Sequence, residues 1–220
     1  VLIQSVDGAS GGDILLGLVR ETIYDSLDDD DDDNVTEQIG QFNYTYGFMN
    51  RGTILAAGLN MGFSATALKI AGSNDGLHQT IIDGGIFNAA SISARSFEAD
   101  SIGVHIGSGA TTPQIVNNGA IFATVNTETT HSAYGVRIDA GANVASVTNN
   151  GLIQSDVRGF DGDVIGFQDL SGTVTNFLNT SRINTGYTDD DPDDNILYGN
   201  GRAIALDLSL SASNVPVTQT

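Results

Sequence analysis

A four-part phrase recurs along this chain at intervals of about thirty residues, and that recurrence restricts the fold more than any other feature. "QIVNNGAIFA" (114–123) returns as "SVTNNGLIQS" (146–155). Earlier copies are "GFMNRGTILA" (47–56) and "TIIDGGIFNA" (80–89), and a later one is "NFLNTSRINT" (176–185). Aligned on their corner residues, Asn50, Asp83, Asn117, Asn149 and Asn179, the copies lie 33, 34, 32 and 30 residues apart. A second phrase sits between the corners. "SIGVHIGSGA" (101–110) and "AYGVRIDAGA" (133–142) share a Gly-Val-x-Ile core, with looser copies at 65–73, 164–172, 202–210 and 15–23.

Within each copy, short runs such as Val136-Arg137-Ile138 alternate apolar and polar residues, which is the period of a strand; no sustained helical stripe accompanies them. Gly, Asn, Asp and Ser separate these runs and supply turns. One such unit cannot bury its apolar face alone, but units stacked strand on strand build a continuous core. The expected fold is therefore all-β: a parallel, right-handed β-helix, or solenoid, with about three short strands per coil of 30–34 residues. A β-sandwich also has many short strands but lacks the long period. The whole of 1–220 reads as one β-helix segment excised from a longer chain, interrupted by acidic loop insertions at about 20–46 and 186–201.

In such a stack the corner residues lie above one another, about 4.8 Å apart. Asn50, Asp83, Asn117, Asn149 and Asn179 are thus expected to form a structural ladder. Asn there would hold a left-handed or bridge conformation, and Gly52, Gly85, Gly119 and Gly151 would turn the chain into the next strand; Ser181 breaks that glycine pattern.

Charge narrows the partners. The chain carries 27 acidic and 8 basic residues, for a net charge of −19. With no basic stripe, nucleic acid is excluded as a partner and an anionic membrane surface is disfavoured. No apolar run approaches the length of a membrane span. Cysteine is absent, which a long solenoid core tolerates.

These phrases, "NNGAIFA", "NNGLIQS", "GVHIGSGA" and "GVRIDAGA", resemble the degenerate repeats of bacterial autotransporter (type V secretion) passenger domains. The resemblance implies an extracellular rod, displayed on or released from a bacterial surface and associated with the outer membrane through regions outside these residues. It implies a structural or adhesive role, including self-assembly into a fibre or surface layer. The resemblance specifies no ligand; the partners expected of such a rod are further coils of the parent chain, sister molecules, or a cell-surface or glycan ligand.

Two acidic runs interrupt the repeat: Asp28, Asp29, Asp30, Asp31, Asp32 and Asp33, then Asp189, Asp190, Asp191, Asp193 and Asp194. Oxygen-rich clusters suit Ca²⁺, which takes six to eight oxygen ligands, so these aspartates are candidate calcium ligands in a calcium-stabilised binding module. Neither run matches a known calcium-loop spacing, and a solvated acidic loop that keeps the rod soluble and discourages lateral sticking is the favoured reading. Calcium is the one cofactor expected of these runs; no transition metal is expected, since His78 and His131 lie in polar connecting loops with no Cys or His nearby.

A carbohydrate-active β-helix enzyme is the alternative function, requiring carboxylates, or a carboxylate and an Arg, converging on one face. Asp83, His105, Arg137, Asp139 and Asp169 are the candidates. His105 and Arg137 hold the x of Gly-Val-x-Ile and should stack in an outward file continued by Lys69, Gln168 and Asp207. A mixed polar file is what any solvent face shows, so no catalytic residue is assigned and the chain is read as a non-enzyme. "FNYTYGF" (42–48) gathers four aromatics that serve as packing beneath the first acidic insertion or as a binding patch. The triplets at Asn34, Asn43 and Asn179 are formal glycosylation acceptors.

Overall fold

The computed structural model describes residues 1–24, 38–188, 201–210 and 217–219. Parallel strands pair across successive coils on three faces, and no helix occurs among the described residues: the fold is a β-solenoid. The first face stacks Leu2–Gln4, Ala65–Ala71, Ser101–Ile106, Ala133–Ile138, Val164–Asp169 and Ala203–Asp207. The third face stacks Thr53–Ala57, Ser91–Phe97, Ala120–Thr130, Leu152–Asp161 and Arg182–Thr188. Between them the second face carries Ala110–Asn117, Asn143–Asn149, Asn176–Asn179 and Val217–Gln219 as single strands. In its first two levels each strand is split, into Ile14–Leu16 with Phe48–Asn50, and Thr80–Ile82 with Ile86–Asn88. From Thr53 the chain makes four full turns, passing in register through Ser91, Ala120 and Leu152 to Arg182.

The register puts like on like inside the coil. Ile54, Ile92, Ile121, Ile153 and Ile183 form one inward file, of which the middle three are buried. Ile3, Ile70, Ile106 and Ile138 form a second, which Asp169 then enters. At about 2 kcal/mol for each fully buried aliphatic side chain, these files dominate the stabilisation of a fold without disulfides. Phe167 and Phe177, also buried, meet edge to face with centroids 4.8 Å apart.

The glycine of Gly-Val-x-Ile has a steric cause. Gly103, Gly135 and Gly166 stack in register, each facing the isoleucine that crosses from the third face. A Cβ on Gly135 would lie 2.5 Å from both the Gly166 carbonyl oxygen and Ile153 Cγ2.

The first insertion does not leave the rod as a plain loop. Arg20–Tyr24 and Gln38–Asn43 form an antiparallel two-stranded ribbon; the residues between its arms lie outside those described. The aromatic cluster beside it is divided: Phe48 packs on the core, Tyr46 stacks on Phe87 at 4.9 Å, and Tyr44 lies under the Arg51 guanidinium, while Phe42 is exposed. Packing therefore accounts for most of it. The second insertion leaves from Thr188, the last residue of a third-face strand, and the described chain resumes at Gly201.

Candidate functional site

The expected ladder exists with one member changed. Asn50, Asn88, Asn117, Asn149 and Asn179 are all buried, and each of the first four donates from Nδ2 to Oδ1 of the next at 2.7–2.8 Å. The same Nδ2 also reaches the first carbonyl of the next third-face strand, on Ser91, Ala120, Leu152 and Arg182 in turn, at 3.2–3.3 Å. Each amide thus ties a corner to the coil ahead of it through two acceptors.

Asp83 is not in the ladder. It is exposed, and its backbone N–H bonds to the Leu16 carbonyl. The true second corner is Asn88-Ala89-Ala90, so the ladder steps are 38, 29, 32 and 30 residues. The longer first step includes the turn at 73–78 and one extra residue at Asp83-Gly84-Gly85, where Gly84 (φ 68°) and Gly85 (φ 119°) kink the strand. That kink imitates an Asn-Asn-Gly corner five residues early.

Of the left-handed and bridge conformations expected at the corners, the left-handed one is absent from the ladder. Neither the ladder asparagines nor Gly52, Gly119 and Gly151 hold positive φ. At Gly119 and Gly151 the reason for glycine is close approach: a Cβ would lie 2.0 Å from the carbonyl oxygen of Ala90 or Gly119 in the preceding coil.

The outward file of the first face runs as expected, Lys69, His105, Arg137, Gln168, Asp207 in register. Its centre is held by one carboxylate. Asp139 Oδ2 lies 2.6 Å from His105 Nε2, and Oδ1 accepts from Arg137 Nε at 2.8 Å. Arg137 also lies over the Tyr134 ring, 5.0 Å from its centroid. The His105 hydrogen bond, opposed by burial and aided by Arg137, lowers the Asp139 pKa to about 2. Both Asp139 oxygens are engaged, so it acts as an electrostatic clasp between two coils. Further along, Gln168 Nε2 donates to Asp207 Oδ2 at 3.0 Å.

A depressed carboxylate pKa stabilises the fold above its unfolded value, near 4, and that contribution disappears as the pH falls through 2. Because the clasp is partly open to solvent, its contribution is about 1 kcal/mol rather than the full linkage value. Asp139→Asn is therefore expected to be less stable than the parent by about that amount at pH 7. The two urea midpoints should converge as the pH is lowered from 4 to 2. A constant gap across that range would mean that Asp139 contributes by packing instead.

The other candidates do not join this cluster. Asp169 is buried on an inward position, where it accepts from the Ser171 N–H and hydroxyl and from the Val174 N–H, shaping the turn that follows. His78 Nε2 lies 2.9 Å from the Gly8 carbonyl oxygen and Nδ1 3.9 Å from Asp13; His131 lies 3.7 Å from Asp100. The aspartates at 28–33, 189–191, 193 and 194 lie outside the described residues, and among the described residues no group of three metal-ligating side chains converges.

One feature escaped sequence reasoning: a shallow groove at the junction of the first and second faces. Its floor is the small pair Ala71 and Gly107, which pair in register between Gln4 on the coil before and Asp139 on the coil after. Lys69 and His105 form one wall; Ser73, Asn74 and Ser108 form the other. The turn at 73–78 that builds the second wall is fixed by Asp75, which accepts from Ser73 Oγ and from the N–H groups of Gly8 and Leu77. The six residues that lengthen this coil were its only trace in the sequence.

Compared with protein-family models, curated proteins and solved structures, the chain gives no match.

Proposed function

We propose that this chain is a segment of an extracellular surface rod with a structural or adhesive role, of the kind its repeats resemble in autotransporter passengers. The observation that supports it is the contrast between the inside and outside of one coil. Inward files repeat isoleucine on isoleucine, whereas the outward file of the first face changes chemistry at every level, from Lys69 to His105, Arg137, Gln168 and Asp207. A scaffold that fixes its interior and frees its exterior suits display: the stack sets a length and direction, and the outer faces carry whatever contact is needed.

The test is location. An antibody raised against the purified 220-residue chain should label intact source cells, and the signal should vanish after external protease. Labelling that appears only once cells are permeabilised would overturn the reading.

A further inference from the structure

We infer that the groove between the first and second faces binds a short acidic saccharide, with Lys69 receiving its carboxylate. The inference deepens the surface-rod reading by naming a ligand class, and it rests on that reading only for its biological setting.

Unused hydrogen-bonding capacity carries the argument. Lys69 is the sole lysine in the sequence, and among the described residues its ammonium is in no ion pair and no hydrogen bond. The neighbouring cation on the file, Arg137, is already committed to Asp139 and Tyr134. Across the groove the Ser108 hydroxyl is likewise unbonded and exposed. Gln4 Nε2 donates to Asn74 Oδ1 at 2.8 Å, leaving the Gln4 carbonyl oxygen free at the groove's end. The rim therefore offers a cation together with both donors and acceptors, on either side of a floor that has almost no side chains.

That mixture fits a sugar better than a simple anion. Hydroxyl groups donate and accept at once, so they can use the Gln4 Oε1 acceptor and the Ser108 hydroxyl, whereas a bare anion uses donors alone; Asn74 is held in place by Gln4 and by Asp7. Asp139 would oppose an anion if it were free, but its charge is answered by Arg137 on Oδ1, and its Oδ2 is hydrogen-bonded to the His105 ring. The groove spans four coil levels, about 14 Å, which suits two or three sugar rings. The chain's net charge of −19 repels long polyanions, while screening at physiological salt limits that repulsion to about 8 Å. The site therefore selects a short or terminal acidic sugar over a long polyuronate.

Titration of the purified chain with a linear galacturonate trimer, followed by amide chemical shifts, tests this. The methyl-esterified trimer and sodium acetate serve as comparisons. The acidic trimer should bind, perturbing the amides of Lys69, Ser73, Asn74, His105 and Ser108, and should bind about tenfold more tightly than its methyl ester. Lys69→Ala should weaken binding about tenfold, and Arg95→Ala, on the third face, should leave it unchanged. If Lys69→Ala melts early, Lys69→Gln takes its place, keeping the stem and removing the charge.

Equal binding of the ester would overturn the role given to Lys69. Displacement of the trimer by acetate at equal concentration would reduce the groove to an anion site and overturn the saccharide. Absence of shifts in this groove would overturn the inference as a whole. Surface labelling of cells would be unaffected by any of these outcomes, so the two readings fail separately.

Discussion

Asn149→Ala is expected to lower the free energy of unfolding by about 3 kcal/mol, one of the largest effects available to a residue that carries no hydrophobic bulk. Asn149, the fourth of the five ladder residues, is wholly buried. Its Nδ2 donates to Asn179 Oδ1 at 2.7 Å and to the Arg182 carbonyl at 3.3 Å, and its Oδ1 accepts from Asn117 at 2.8 Å. Truncation removes three hydrogen bonds at once. It also leaves Asn179 Oδ1 and the Arg182 carbonyl without the donor they share, and a buried polar atom without a partner costs about 1–3 kcal/mol. Asn150→Ala provides the contrast. Asn150 is the exposed neighbour that donates to Asn118 Oδ1 at 2.9 Å and accepts from Thr180 Oγ1 at 2.7 Å, and water replaces both partners. Its cost should stay within about 0.5 kcal/mol. Chemical denaturation of both variants checks the pair; equal midpoints would mean that the buried ladder contributes no more than its exposed neighbour.

Gly135→Ala should cost about 3 kcal/mol, by overpacking rather than by loss of contacts. The added methyl would meet the Gly166 carbonyl oxygen and Ile153 Cγ2, both at 2.5 Å, with Ser155 Oγ at 3.2 Å. The first obstacle is backbone in the next coil, and the second belongs to the isoleucine file of the third face, so relief requires moving two coils together. Ala67 occupies the equivalent position on the coil before Gly103 and is fully buried. A methyl can thus be accommodated in this file, so the expectation is a damaged fold rather than an absent one. Thermal unfolding with far-ultraviolet circular dichroism would show it, and a midpoint equal to the parent's would mean that the face opens at little cost.

The solenoid was legible because its information is local and repeated. "NNG" and Gly-Val-x-Ile each state a strand, a turn and a direction, and five or six copies leave few folds to choose from. The outward file was legible for the same reason, since the x of one repeated core must stack on the x of the next. The second rung of the ladder was misread because its deciding fact is not local. Asp83-Gly84-Gly85 has ordinary turn chemistry, and only its pairing a coil away shows that Asn88, not Asp83, lies between Asn50 and Asn117. The steric reason for the corner glycines was not legible either: a turn can be expected of a glycine, but the carbonyl oxygen 2.0 Å from the Cβ that Gly119 or Gly151 lacks belongs to another coil. The groove is drawn from four coils and a turn, and nothing in any one of them announces it. Asp139 had a fainter signal, two residues beyond Arg137 and just past the end of its strand, although its contact with His105 crosses between coils.

The four turns between Thr53 and Arg182 also make the molecule a store of length. Each coil holds about thirty residues, a contour of about 100 Å when drawn out, within about 4.8 Å of rod. Adjacent coils are joined only to their neighbours, so although an axial pull loads every interface alike, an end coil, held on one side only, can peel without unfolding the rest. A rod built this way lengthens about twentyfold wherever it is peeled, while the unpeeled remainder keeps its three faces.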